Sequence, residues 1–187
     1  ICRFTALDDP FKLLGLPARF DLDDADIESA SVRLCAQLHP DRITGTDAAE
    51  TVRKAAMANQ AAAALMDPES RANILLTLHG GAAPEEDKSL PDGFLVEMMT
   101  MRQDMEQALQ EPDNAVRTRL QGEATHRRDE LIAELTSLFK AIEGVHGDAP
   151  REVLDQIRMI LNVLRYVERM IEQLDPDYTG LDDQARS

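Results

Sequence analysis

The sequence predicts an all-α protein, and three observations favour that fold class. Good helix formers dominate the composition, whereas the 187 residues include no Trp, two Tyr and five Phe. No segment alternates apolar and polar residues over the length of a strand, and apolar residues instead recur at spacings of three and four. We therefore expect helices packed around a core that a chain of this length is able to bury.

Charge and composition narrow the classes of function. The chain carries 20 basic and 35 acidic residues, a formal net charge of −15, which argues against a general nucleic-acid binder or a protein of anionic membranes. There is no apolar run near the roughly 18 residues of a membrane span and no signal peptide. Cys2 and Cys35 are too few for a disulfide framework or a zinc cluster. We expect a soluble protein of a reducing compartment whose partners are proteins.

The first elements predicted are two helices near the N-terminus. Phe11 to Leu14 form about one helical turn, and Gly15 and Pro17 follow at positions that end a helix. The Asp-rich segment 21–26 supplies N-cap candidates and favourable negative charge for a second helix. That helix places four apolar residues on one face: Ile27, Ala30, Leu34 and Leu38.

The second helix is expected to stop where residues 34–45 read LCAQLHPDRITG. Proline cannot donate a helical hydrogen bond and disfavours helical geometry in the residue before it, so the end is predicted near Leu38 or His39. A third helix then starts near Thr46 or Asp47 and runs antiparallel to the second. Its predicted apolar side consists of Val52, Ala56, Ala63 and Met66.

A fourth helix and a linker complete the first part of the chain. Pro68 suits the first position of a helix, and Gly80 and Gly81 suit its end. Residues 80–91 read GGAAPEEDKSLP, and this content of Gly, Pro and charge is typical of a linker. We therefore predict a first unit at residues 1–80, a linker at 81–91 and a second unit at 92–187.

The sequence of the second unit predicts an antiparallel three-helix bundle. Helical patterns occupy residues 92–110, 113–142 and 151–174, with breaks at Pro112 and at the sequence GVHGDAP. The last helix would be about 36 Å long at a rise of about 1.5 Å per residue. The complete prediction is an N-terminal helical hairpin joined to a C-terminal antiparallel three-helix bundle.

Two helices of the second unit carry more apolar residues than one core stripe needs. At 100° per residue, the first has a stripe of Phe94, Met98, Met101, Met105 and Leu109, whereas Leu95, Val96 and Met99 fall off it. The last has a stripe of Val153, Ile157, Ile160, Leu164, Ile171 and Leu174, flanked by Met159, Val163, Tyr166 and Met170. Such extra residues indicate either a protein-binding patch or a helix that faces two neighbours. For Leu95 and Val163 both interpretations stay open.

Several motifs together resemble a known family. A short first helix, a second helix ending in His39-Pro40-Asp41, and a third leading into NQAAAALMDPESRANILLTLHG are similar to a J-domain. The later segments FLVEMMTMRQDM and LRYVERMIEQLD are similar to the C-terminal bundle of HscB, the J-domain co-chaperone family of iron–sulfur cluster assembly. The resemblance covers nearly the whole chain. It implies a J-domain in the first unit and a scaffold-binding bundle in the second.

The resemblance implies a chaperone-binding site at the loop. His39, Pro40 and Asp41 would engage the ATPase domain of a DnaK-type chaperone, HscA in bacteria, and stimulate ATP hydrolysis. Proline stiffens the loop and lowers the entropy lost on docking, and the Asp41 carboxylate suits a partner arginine. Members usually have a basic second helix, whereas Arg33 is the sole basic residue in this one and Arg42 follows the motif. We therefore expect the loop to contribute more than the helix.

The resemblance also implies a scaffold-binding site in the second unit. The positions that contact the IscU-type scaffold in HscB correspond here to Leu95, Val96, Met99 and Tyr166. Thr100 and Gln103 lie where family members often carry Glu, so the polar rim of the site differs in this chain.

Two alternative functions are a J-domain co-chaperone for a different client and a helical metal-binding protein. The second would use the histidines at positions 39, 79, 126 and 146, but none has the paired spacing of metal ligands. No phosphate-binding loop or nucleophile motif is present in the sequence. We therefore predict no enzymatic activity, no cofactor and no metal, and a location in the bacterial cytoplasm or, in a eukaryote, the mitochondrial matrix.

Overall fold

The computed structural model describes residues 9–37, 48–110, 114–144 and 149–175. These residues form seven helices and no strand, which confirms the all-α prediction. The helices are α1 (Pro10–Leu14), α2 (Asp24–Gln37), α3 (Ala48–Met66), α4 (Pro68–Leu78), α5 (Phe94–Gln110), α6 (Asn114–Ile142) and α7 (Arg151–Leu174). None of them is long and apolar enough to cross a membrane.

Aspartate caps fix the starts of two short helices. The Asp9 carboxylate accepts hydrogen bonds from the backbone N–H groups of Phe11 and Lys12 at 3.0 and 3.3 Å, and Asp67 accepts from Ser70 at 3.1 Å. In each case proline follows the cap, where its missing N–H costs nothing. Helix α1 ends at Gly15, whose φ of 68° lies in the left-handed region that glycine favours. Both helices therefore lie where the sequence predicts them.

The buried face of α3 differs from the prediction. Val52 is 69% exposed, and Ala56, Ala63 and Met66 are exposed as well. Helices α1 and α2 both pack against the opposite side of α3, which buries Thr51, Ala58, Ala61, Ala62 and Leu65. The prediction was wrong because alanine occurs all around this helix, so spacing alone does not identify its core face.

The second unit buries the residues that its apolar stripes predict. Helices α6 and α7 pack along one another, and α7 is buried through Ile157, Ile160, Leu164 and Leu174, with Val153 and Ile171 partly buried. Helix α5 contributes buried Phe94 and Met105 and the partly buried Met98 and Met101. The side chain of Leu109 lies outside the described residues. Two residues were left open between core and surface. Val163 belongs to the core with 3% exposure, whereas Leu95 lies on the surface with 60% exposure.

The two units share one continuous hydrophobic core. The rings of Phe20 and Phe139 stack with their centroids 5.3 Å apart, and both side chains are buried. Helix α4 also packs against α7, and Leu90 contacts the same core. The boundaries at 1–80, 81–91 and 92–187 stay a prediction, but the units on either side of the linker are in contact.

A buried polar cluster fastens the predicted linker to α7. The Arg158 side chain is 1% exposed and donates from Nη1 to Asn73 Oδ1 at 2.6 Å and from Nε to Asn162 Oδ1 at 3.1 Å. Asn162 in turn donates to the carbonyl oxygens of Asp87 and Ser89 at 3.2 and 2.9 Å. The cluster therefore joins α4, the predicted linker and α7. Neither its residues nor its contacts were predicted from the sequence.

Candidate functional site

An exposed apolar surface on α5 is the candidate site, and we call it the α5 patch. It consists of Leu95, Val96, Met99 and Tyr166, whose side chains are 60, 68, 68 and 44% exposed. These are large apolar groups that folding leaves in water, whereas Phe94 and Met105 of the same helix are buried in the core. The family resemblance implied all four as scaffold contacts, whereas the helical pattern alone left Leu95 open; the structure shows that all four side chains are exposed.

The helix geometry explains why the α5 patch faces outward. Gly93 has a φ of 81° and its carbonyl accepts from the N–H of Val96 at 3.0 Å, so it starts the helix. Phe94 then points into the core and is 7% exposed. Because successive residues of a helix are turned by about 100°, Leu95, Val96 and Met99 lie away from the Phe94 side.

Tyr166, the fourth residue of the α5 patch, lies on α7 and contacts α5 through Phe94. Its ring meets the Phe94 ring edge to face, with centroids 5.7 Å apart and an interplanar angle of 71°, an arrangement that aromatic pairs favour. One side of Tyr166 therefore packs on the core while the remainder is in contact with water. Next to it on α7, Arg165 forms an ion pair at 3.3 Å with Glu69 of α4. Burial raises the pKa of the Glu69 carboxyl, and Arg165 opposes that shift.

The polar residues beside the α5 patch include both uncharged and charged side chains. The Thr100 hydroxyl donates to the carbonyl of Val96 at 3.2 Å, within its own helix. Gln103 is exposed, and Arg102 pairs with Glu106 at 3.3 Å. Thr100 and Gln103 thus lie beside the apolar residues as predicted, but both are uncharged. We expect binding at this surface to depend mainly on apolar contact.

The predicted chaperone-binding site is described only in its supporting helices. His39, Pro40, Asp41 and Arg42 lie outside the described residues. Helices α2 and α3, which the loop joins, pack against each other, and the Cys35 thiol donates to Asn59 Oδ1 at 3.5 Å across the pair. Arg33 is exposed near the end of α2, so its side chain is available to a partner.

Two of the four histidines, the candidate metal ligands, belong to the described residues. His126 lies 3.5 Å from Glu130 on the exposed side of α6. His79 caps the end of α4, where burial lowers its pKa. Within the described ranges no three residues of the metal-binding types come together. His39 and His146 lie outside those ranges.

The buried cluster around Arg158 was missed, although the sequence holds a signal for it. Arg158 and Asn162 are four residues apart, so they lie on the same side of α7. Both positions fall among apolar residues, and a polar pair there indicates partners brought in by another element. Which element supplies those partners depends on tertiary contacts that helical spacing does not report.

Comparison with known proteins gives the class and then the family. Residues 90–175 match the family model described as the HSCB C-terminal oligomerisation domain. The co-chaperone protein HscB of Proteus mirabilis (strain HI4320) is 30% identical over 175 residues, which cover 89% of this chain and 97% of that protein. The class is therefore that of an all-α co-chaperone. The chain belongs to the HscB family.

Solved structures agree with this fold. The crystal structure of human co-chaperone protein HscB gives a TM-score of 0.74 at 20% identity, covering 97% of this chain and 87% of that one. Chaperone HscB from Vibrio cholerae gives a TM-score of 0.69 at 25% identity, covering 95% of this chain and 99% of that one. The human structure supports the fold alone, because its sequence identity is low. The family resemblance derived from the sequence motifs is confirmed.

Proposed function

We propose that this chain delivers an iron–sulfur cluster scaffold protein of the IscU type to a DnaK-type chaperone of the HscA type and stimulates the ATPase of that chaperone. The observation that carries the proposal is the α5 patch. Three large apolar side chains on one helix are each at least 60% exposed, whereas Phe94 and Met105 of the same helix are buried. Their exposure serves no purpose in folding, and it suits the binding of another protein.

The scaffold binds the α5 patch in this proposal. Leu95, Val96 and Met99 supply the apolar area, and Met99 adds a flexible side chain that adapts to the partner's surface. Tyr166 extends the surface with a rigid ring, a residue type enriched among the anchors of protein interfaces. Thr100 and Gln103 form the rim. These two residues carry no charge, so neither adds an ion pair to the contact with the scaffold.

The chaperone binds the loop between α2 and α3. His39 and Asp41 supply a ring donor and a carboxylate, and Pro40 limits the conformations that docking has to select. Arg33 and Arg42 add positive charge on either side of the loop. The chain catalyses no reaction of its own in this proposal. It changes the rate of a reaction in the chaperone.

Carrying both surfaces on one molecule explains how the co-chaperone promotes delivery. A scaffold bound to the α5 patch arrives at the chaperone together with the loop, so its local concentration there exceeds its concentration in solution. The contacts between the units, including the Phe20 and Phe139 stack, hold the two surfaces on one body. The ATPase stimulation by scaffold and co-chaperone together should therefore exceed the sum of the stimulations that each produces alone.

A reconstituted ATPase assay tests the proposal. Steady-state ATP hydrolysis by a purified HscA-type chaperone is measured alone, with this chain, with an IscU-type scaffold, and with both. Stimulation by the chain alone and a larger effect with both are expected. If the ATPase rate is unchanged both with the chain alone and with the chain and scaffold together, the chaperone role is contradicted. Calorimetric titration of the scaffold into the chain tests the other contact separately.

A further inference from the structure

The methionines of the chain differ widely in their exposure to water. Of the eight, Met105 and Met170 are 6% exposed, and Met66 is 39% exposed. Met57, Met98, Met101 and Met159 are partly buried. Met99 is 68% exposed and is therefore the most accessible methionine of the protein. It is also the methionine that lies within the α5 patch.

We propose that Met99 is an oxidation site, and that its conversion to methionine sulfoxide switches off scaffold binding at the α5 patch. The inference rests on the proposed function, because it concerns the same surface. The oxidant is a peroxide, with hydrogen peroxide as the simplest member of that class. Oxidation of Met99 leaves the fold intact, since the side chain contributes little to the core.

The chemical step is a transfer of one oxygen atom. The thioether sulfur of Met99 attacks one oxygen of hydrogen peroxide with an electron pair. An S–O bond forms as the O–O bond breaks. The released hydroxide takes up the remaining peroxide proton and leaves as water. Sulfur is oxidised by two electrons and the peroxide is reduced by two. Methionine sulfoxide reductases reverse the change with electrons from a thiol reductant.

Position on the helix explains why the product opposes binding. Leu95 and Val96 lie one turn before Met99 and form the apolar surface that a partner would cover. A sulfoxide is polar and accepts hydrogen bonds, so burying it against an apolar partner leaves that acceptor unsatisfied. The nearby hydroxyl of Thr100 already donates to the carbonyl of Val96. An unsatisfied polar group of this kind should weaken scaffold affinity by about 10- to 100-fold.

Exposure also makes the modification selective. Peroxide reaches a sulfur in water faster than one packed in a core, so Met99 should be oxidised before Met98 and Met101 on the same helix. Bound scaffold would cover Met99 and slow its oxidation. By linkage, protection by the scaffold and loss of affinity after oxidation have one origin, the burial of this side chain in the complex.

The test uses the full chain and limiting hydrogen peroxide. Peptide mass spectrometry follows the gain of one oxygen atom at each methionine, and calorimetric titration with an IscU-type scaffold measures affinity before and after. Oxidation of Met99 first, with the Kd raised about 10- to 100-fold and circular dichroism unchanged, is the expected result. Treatment with a methionine sulfoxide reductase should restore the affinity.

Three variants isolate the effect of Met99. Met99→Leu keeps an apolar side chain of similar volume without the sulfur, so the affinity of this variant, whatever its starting value, should not change with peroxide. Met66→Leu removes the other exposed methionine, on α3, and should remain as sensitive to peroxide as the native chain. Met99→Gln, which places a polar group at the same position, should bind weakly without any oxidant.

Three results overturn the proposal, and they are distinguishable. Oxidation of Met98 or Met101 ahead of Met99 contradicts the selectivity. Equal affinity of the reduced and Met99-oxidised chains contradicts the switch and leaves the proposed function intact. A reduced native chain that fails to bind the scaffold contradicts the proposed function itself, and the switch with it.

Discussion

Arg158 shows how a single buried charge is accommodated between the two units. It is the least exposed of the polar and charged residues buried in the described part of the chain. Burial lowers the pKa of its guanidinium, and the carboxylates of Glu69 and Asp87 partly offset that effect. Amide oxygens accept from two of its nitrogens, whereas Nη2 has no hydrogen-bond partner. Loss of either amide would leave a further buried donor unsatisfied.

Substituting one of those amides should destabilise the protein measurably. In Asn73→Ala, Arg158 loses its acceptor at 2.6 Å, and an unsatisfied buried donor costs about 1 to 3 kcal/mol. Urea unfolding followed by circular dichroism measures the change. Thr77→Ala is the matched control, because this exposed hydroxyl on the same helix donates only to the Asn73 backbone carbonyl. It should change the stability by less than about 0.5 kcal/mol. Equal effects of the two variants would show that the cluster adds no stability.

The loop residues should matter for the chaperone and not for the fold. His39→Gln removes a ring donor, and Asp41→Asn removes a carboxylate charge. Both residues lie between α2 and α3, which pack on each other through other residues. We expect loss of ATPase stimulation with helicity and melting temperature nearly unchanged. Steady-state ATPase assays with the purified chaperone, beside thermal melts of each variant, measure both properties. Full stimulation by either variant would mean that the loop only connects α2 and α3.

At the scale of elements, local chemistry determines how far the sequence predicts the structure. Asp9-Pro10 and Asp67-Pro68 each combine a cap with a residue suited to the first helical position, and the structure places helices α1 and α4 there. The α5 and α7 stripes were also predicted, because large apolar residues recur on one side of each helix. The α3 face was predicted wrongly because small alanines leave no comparable contrast, and packing with α1 and α2 decides it.

The α5 patch should be dispensable for folding and required for scaffold binding. Replacing Leu95, Val96 and Met99 together with Ala removes apolar contact area without opening a cavity, and Ala suits a helix. Loss of central anchors at about 1 to 2 kcal/mol each, without assuming additivity, would weaken affinity about a hundredfold or more. Calorimetric titration with the scaffold and a thermal melt on the same variant measure affinity and stability.

A buried methionine of the same helix supplies the control for that prediction. Met105 is 6% exposed and packs against Leu120 and Met170, so Met105→Ala should cost about 2 to 5 kcal/mol in folding. Its effect on scaffold affinity should be small under conditions in which the variant is folded. Unchanged affinity of the patch variant, or a melting temperature as low as that of Met105→Ala, would contradict the interpretation of the α5 patch as a binding surface.

At the scale of the whole molecule, the contact between the units is the feature that the sequence did not predict. Phe20 lies in a loop of the first unit and Phe139 near the end of α6, and neither belongs to a local motif that indicates the other. The segment 81–91 has a linker's composition, yet its backbone carbonyls at Asp87 and Ser89 accept hydrogen bonds from Asn162. Composition reports that a segment is polar, and it does not report which element the segment packs on.

Because the two units are in contact, separating them should lower the melting temperature of the first unit. A fragment ending at Gly81 keeps α1 to α4, including the packing of α1 and α2 on α3, so we expect a helical circular-dichroism signal and some ATPase stimulation. It loses Phe139 as the partner of Phe20 and Arg158 as the partner of Asn73. The fragment should therefore melt at a lower temperature than the intact chain, which should unfold in a single transition because its core is continuous.

A variant of the intact chain shows whether a lower stability of the fragment comes from losing the contact between the units or from losing the rest of the chain. Phe139→Ala removes the ring that stacks on Phe20 and leaves every other residue in place, and it should cost about 3 to 5 kcal/mol. If the interface accounts for the lower stability of the fragment, this variant should also melt below the native chain while keeping the same helical signal. Thermal melts of the native chain, the variant and the fragment, all followed by circular dichroism, make the comparison. An unfolded fragment would show that the first unit depends on the second for folding. A fragment as stable as the intact chain would show instead that the stacked rings and the Arg158 cluster add nothing to the stability of the first unit.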